Sequence, residues 1–161
     1  MKKEKIIVIH NNKYDNQVQE IKEKLEEEGC VVKEIETDEE GEFEETEDES
    51  IELPKELEET IDWSDILIFL VDDKSQEDDF INIEIEEAYK RGKCIVGIYA
   101  KGCEGDIVLP SGFKMRGNYM LGAESLDKLP KILLGENIPH EKNDGTKAQS
   151  TYKIHRVKCN R

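Results

Sequence analysis

Glu84 is the residue whose neighbours most narrow its chemistry. Ile81, Ile85 and Ala88 stand at i, i+4 and i+7, the spacing of one buried helix face, and Glu84 falls three residues after the first and four before the last. Its carboxylate therefore belongs on the margin of that face, flanked by Phe80 and Ile81, where burial raises the cost of ionisation. Spacing alone leaves a second reading open, an ordinary acid near a helix N-terminus favoured by the dipole. Two polar runs directly follow apolar ones: His10-Asn11-Asn12-Lys13-Tyr14 and Asp72-Asp73-Lys74-Ser75. In an open parallel sheet such runs flank the crevice beyond the carboxyl ends of the strands, where the strand order reverses and ligands bind. His10, Asn11, Asp72, Phe80 and Asn82 are the candidates to join Glu84 around a ligand. For His10 the plain alternative of a polar strand-end histidine stays open.

The elements that must carry these residues are readable from apolar runs. Residues 5–10 form a short, nearly continuous apolar run, as expected of a strand buried on both faces. Val18, Ile21 and Leu25 then recur at helical spacing before Gly29, and residues 30–35 read as a second strand. A strand–helix–strand unit of 35 residues favours a parallel sheet. Pro54 opens a short helix with Leu57 and Ile61, and residues 65–71 are the clearest strand of the chain. A helix from Phe80 to Arg91, stopped by Gly92, leads to another buried strand at residues 94–99. Beyond Lys101 the glycines and Pro110 mark irregular chain, with a short fifth strand at 117–121 and a last amphipathic helix at 125–134, its Leu126, Leu129, Ile132 and Leu133 inward. The predicted fold is α/β: a single doubly wound, flavodoxin-like parallel sheet of about five strands in the order 2-1-3-4-5, with helices on both faces.

The chain of 161 residues suits one domain, drawn over residues 1–137 with an acidic insertion at about 36–53. Residues 138–161 form a basic tail, whose Tyr, Ile and Val at 152–159 suit an edge strand. The net charge of −16 argues against nucleic acid and anionic membranes as partners. Between Glu36 and Glu59 there are fourteen acids and one base, a net −13, so the remainder carries only −16 + 13 = −3. The acidity is local and need not repel an anion bound elsewhere. No apolar stretch approaches the roughly 20 residues needed to cross a bilayer, nor the core of a signal peptide, which places the protein in the cytoplasm. Cys30, Cys94, Cys103 and Cys159 show no CxxC spacing and read as unpaired cytosolic thiols. With His140 and His155 they offer no ligand spacing on one element, so no metal is expected.

The stretch from Phe80 to Ala88 resembles the TIR-family pattern of an aromatic, an aliphatic, two variable residues, Glu-Ile and then Ala. Arg91-Gly92-Lys93-Cys94-Ile95-Val96 resembles the family's following strand, with Cys94 in place of its proline, and Ser64-Asp65 before the apolar run 66–71 matches the strand upstream. Within that superfamily the chain most resembles the TIR-like, NAD-consuming component of bacterial Thoeris antiphage systems. The likeness covers roughly residues 5–134 and is most specific from Ser64 to Gly97. Phe80 stands where Trp is usual, Gln76-Glu77-Asp78-Asp79 replace a serine pattern, and the acidic insertion is unusual. These departures bear on loop shape and substrate preference, whereas Glu84 matches the family's catalytic glutamate.

The resemblance implies cleavage of the nicotinamide–ribose bond of NAD, which enters as substrate, so that no resident cofactor is expected. It also implies an ADP-ribose-derived product, cyclic or conjugated, sensed by a separate effector, and self-assembly into a homo-oligomer on activation. One carboxylate suffices for such a reaction. A glycosidase must protonate its leaving oxygen, but nicotinamide leaves a cationic pyridinium as a neutral molecule. What remains is to stabilise the ribosyl cation, an electrostatic task done best in a dry cleft. In this picture Glu84 holds the ribose hydroxyls and faces the developing charge. Phe80 walls the nicotinamide side, and His10, Asn11, Asp72 and Asn82 hydrogen-bond ribose or phosphate. Two alternatives stand beside it: a nucleoside deoxyribosyltransferase-like enzyme, and a catalytically silent TIR adaptor acting through domain contacts.

Overall fold

The computed structural model describes residues 4–10, 12–36, 53–103 and 107–148. Asn11, most of the acidic insertion and the stretch 152–159 therefore lie outside the described residues. Five strands form one parallel sheet: β1 (Lys5–His10), β2 (Val31–Glu36), β3 (Ile66–Val71), β4 (Cys94–Tyr99) and β5 (Tyr119–Leu121). Their order is β2-β1-β3-β4-β5, with the reversal between β1 and β3, as the sequence predicts. Among the described residues five α-helices accompany them: α1 (Asp15–Glu27), α2 (Lys55–Trp63), α3 (Asp79–Lys90), α4 (Ser111–Arg116) and α5 (Leu129–Leu133).

Alternation along the strands divides the core in two. Ile6, Val8, Ile66, Ile68, Val96 and Ile98 face Val18, Ile21 and Leu25 of α1 and Leu129 and Ile132 of α5. The opposite face puts Ile7, Ile9, Leu67, Phe69 and Ile95 against Leu57 and Ile61 of α2, Ile85 and Ala88 of α3, and Phe113 of α4. Phe69 and Phe113 meet edge to face with centroids 5.4 Å apart, which locks α4 onto this face. Central strands β3 and β4 are buried throughout, whereas β2, at the edge, exposes four of its six residues, including Lys33, Glu34 and Glu36. Charged side chains on an edge strand discourage pairing with another chain.

The other edge is closed by the chain itself. After α5, Ile138 enters the core and the Glu141 N–H donates to the Met120 carbonyl at 2.9 Å, while Glu141 and Lys147 form an antiparallel bridge. Two features differ from the sequence expectation. The stretch after Lys101 holds a true helix, α4, where only irregular chain was expected, and Pro110 sits at its N-cap. Cys30 and Cys103 carry free thiols, but Cys94 is disulfide-bonded, which corrects the reading of four unpaired cysteines; sequence spacing does not report which sulfurs come within bonding distance. No helix among the described residues is long and apolar enough to cross a membrane.

Candidate active site

α3 begins where Asp78, in an extended conformation, accepts a hydrogen bond from the Phe80 N–H at 3.0 Å. An acid at this position satisfies one of the free first-turn donors and complements the helix dipole. The helix ends at Gly92, whose φ of 67° turns the chain back into β4. Between these punctuation marks Ile85 and Ala88 anchor the helix on the sheet, and both are completely buried.

Glu84 is completely buried too, with 0% of its surface exposed. Neither of its carboxylate oxygens has a hydrogen-bond partner among the described residues. The acids beside it are handled differently: Glu86 pairs with Arg116 at 3.6 Å, and Glu87 pairs with Arg91 and Lys90. Burial, and secondarily the charge of Asp78, hold the Glu84 carboxyl well above the usual carboxylate range. The fold thus carries an unsolvated acid of raised pKa on the helix that follows the central strand. Leaving such a group without a partner costs stability, and strongly perturbed buried acids cluster at functional sites.

The other sequence candidates separate. Phe80, half-buried, packs against the same core one turn before Glu84. Asp72 is buried at the end of β3, but its carboxylate is occupied: Oδ2 accepts from the Tyr14 hydroxyl at 2.8 Å, and Oδ1 from the Lys74 N–H at 3.0 Å and the Ser75 hydroxyl at 3.1 Å. It ties the loop after β1 to the loop after β3. His10 is buried on the α1 face of the sheet, with Nε2 3.9 Å from Glu34 Oε2, and so lies across the sheet from α3. Asn82 turns towards α4, where its Oδ1 accepts the Gly112 N–H at 2.7 Å. Asn11 lies outside the described residues. The structure therefore brings Phe80 to Glu84 and links Asp72 to the crevice loops, while His10 and Asn82 point elsewhere.

Sequence reasoning passed over Tyr14, Ser75 and Asp78. The first two stand in the polar loops already singled out; Ser75 bonds Asp72 three residues away, but the Tyr14–Asp72 pair spans 58 residues and leaves no local signal, and Asp78 carries the ordinary signature of a helix cap. A depression of about 200 Å³ does lie beyond the carboxyl ends of β1, β3 and β4, lined by Tyr14, Asp73, Lys101, Gly102 and Cys103. An adjoining one reaches Lys13 and Gln17 at the start of α1. Glu84 lines neither. Among the described residues no group of three or more His, Cys, Asp or Glu stands ready to hold a metal ion.

Residues 9–104, from the end of β1 through β4, match the family model described as Thoeris protein ThsB, TIR-like domain. No curated protein matches the chain.

Proposed function

The chain belongs to the TIR-like family of Thoeris protein ThsB, and from that premise we propose that it cleaves the nicotinamide–ribose bond of NAD, with Glu84 as the essential carboxylate. The observation that carries this reading is the state of Glu84: fully buried, without a hydrogen-bond partner among the described residues, and with burial raising its pKa above the usual carboxylate range. A stable fold has no use for such a group, and a site that must face a cation does.

The chemistry follows from charge. NAD presents a pyridinium whose positive charge, brought within a few ångströms of Glu84, favours the ionised carboxylate and draws its pKa down. The C1′–N bond then breaks, both electrons go to the ring nitrogen, and nicotinamide departs neutral. Positive charge moves to the ribose, where the Glu84 carboxylate stabilises it from inside a poorly solvated site. The cation is captured by water, by an atom of the nucleotide itself or by a second small molecule. The resulting ADP-ribose derivative is the signal read by a separate effector in a cytoplasmic antiphage response. Phe80, on the same flank of α3, walls the nicotinamide.

Because Glu84 is completely buried, NAD reaches it only after a rearrangement, for which self-assembly of the domain in response to infection is the natural trigger. The test is nicotinamide release, followed by chromatography, from the protein and from Glu84→Gln, each with and without lysate of infected cells. Release by the wild type that is lost in a normally folded variant supports the reading. Equal release from both overturns it. Mass analysis of the nucleotide product separates hydrolysis, cyclisation and conjugation.

A further inference from the structure

No side chain among the described residues hydrogen-bonds Glu84, so its position is set by how α3 is seated. α4 supplies much of that seat. The Gly112 N–H donates to Asn82 Oδ1 at 2.7 Å, and a Cβ at Gly112 would lie 2.9 Å from that oxygen and 3.1 Å from Ile85 Cδ1. The first is closer than real Cβ atoms come and the second tighter than most, so a side chain here would make Asn82 and Ile85 give way, and glycine lets the two helices approach. Further along, the Arg116 guanidinium lies over the Tyr89 ring, 3.7 Å from its centroid, and Nε pairs with Glu86 at 3.6 Å. Asn82, Ile85, Glu86 and Tyr89 form one stripe at i, i+3, i+4 and i+7. Glu84 stands roughly 150° round the helix from the middle of that stripe. α4 therefore grips the flank of α3 opposite Glu84, and any roll of α3 about this contact swings the carboxyl group in or out of the core. α4 lies beyond residues 9–104, so the family likeness does not account for the grip.

We propose that the Asn82–Gly112 contact sets the depth at which Glu84 is held, which makes Asn82 a positioning residue for the reaction rather than a substrate ligand. The inference rests on Glu84 being the catalytic carboxylate. Its consequence for the carboxyl group itself does not, because a shallower seat admits water whatever the reaction is. Among the described residues the charge that acts on Glu84 is that of Asp78, on α3's own cap.

The experiment uses the full chain with Asn82→Leu, which removes the acceptor at similar size, Gly112→Ala, which pushes the helices apart, and Asn82→Asp, which keeps an acceptor. Circular dichroism establishes folding. Infrared spectroscopy then follows the protonated carboxyl band of Glu84, assigned by its loss in Glu84→Gln, as the pH is raised. The midpoint is expected to move down in Asn82→Leu and Gly112→Ala. In Asn82→Asp it stays or rises, since an added negative charge works in the opposite direction. For nicotinamide release, kcat should fall by on the order of 10²-fold in the first two variants with KM little changed, and recover in Asn82→Asp. An unmoved carboxyl midpoint in both Asn82→Leu and Gly112→Ala overturns the proposal, as does a raised KM at unchanged kcat. A moved midpoint, with a wild type that releases no nicotinamide even with lysate of infected cells, leaves the positioning claim standing and removes the enzymatic reading instead.

Discussion

Glu84 shares its helix with Glu86 and Glu87, which pair with Arg116, Arg91 and Lys90, whereas Glu84 is completely buried without such a partner among the described residues. Burial raises its folded-state pKa above the ordinary 4.5, so between 4.5 and that raised value the native state binds more protons than the unfolded chain. Stability from this residue is therefore complete below 4.5 and lost as pH rises through the folded pKa. Gln at this position is neutral at every pH. Glu84→Gln should accordingly match the wild type near pH 4 and become progressively the more stable of the two towards neutrality, as measured by urea denaturation at several pH values. A gap that does not widen with pH would show that the carboxyl group is not buried in solution. A second local prediction concerns Tyr14, whose hydroxyl binds Asp72 across the crevice. Tyr14→Phe removes one hydrogen bond to a buried carboxylate and should cost about 1–2 kcal/mol in the same assay. Glu84 was legible in the sequence because its placement follows from Ile81, Ile85 and Ala88 on its own helix. The hydrogen bonding of Asp72 was legible only in part, because Lys74 and Ser75 are local but Tyr14 lies 58 residues away. The contact of Asn82 was not, its acceptor oxygen being held by a helix 30 residues downstream.

The elements were legible in proportion to how little they depend on neighbours. β3 and β4 are uninterrupted apolar runs buried on both faces, and α3 is framed by Asp78 and Gly92, so type and place follow from composition alone. α4 has six residues, fewer than two turns, which no periodicity can reveal. β5 has three, and only its parallel pairing with β4 makes it a strand. These two short elements are nevertheless coupled tightly to the sheet through Gly97, in the middle of β4. A Cβ there would lie 2.2 Å from Met120 Sδ and 3.0 Å from a ring carbon of Phe113, and both side chains are buried. One methyl group would have to displace the buried side chains of Met120 on β5 and Phe113 on α4 together. Gly97→Ala should therefore destabilise the domain by about 1–3 kcal/mol, the range of core overpacking, seen as a lower urea midpoint at unchanged slope. Because α4 also seats α3, the same substitution should lower nicotinamide release more than the loss of folded protein explains.

Among the described residues the sheet has an open edge at β2 and a sealed one at β5, and the seal is electrostatic at its centre. Glu141 is 3% exposed, and its carboxylate accepts from the Ser125 hydroxyl at 2.5 Å, from the Gly122 N–H at 3.0 Å and from the Lys128 ammonium. Burial pushes its pKa up, but the Lys128 and Ser125 hydrogen bonds and the Gly122 N–H more than offset it, leaving the group below its ordinary 4.5. The sign is opposite to that of Glu84. A lowered folded pKa gives stability that is complete above 4.5 and is lost as pH falls through the folded value. The domain thus carries two buried acids pulling its pH profile in contrary directions, one favouring mild acid and one opposing it. Glu141→Gln keeps the shape of the group and its acceptor for Ser125 and Gly122, but removes the charge that Lys128 answers. At neutral pH this variant should lose about 1–2 kcal/mol, discounted because Lys128 is 34% exposed and partly screened. As the wild-type carboxylate protonates, the two proteins become chemically alike at this position, so the deficit should shrink with falling pH and vanish below the folded pKa. Urea midpoints of both proteins, measured from neutrality into acid, check this. A deficit that stays constant into acid would mean that the β5 edge is held by packing alone and that the Lys128–Glu141 pair contributes nothing.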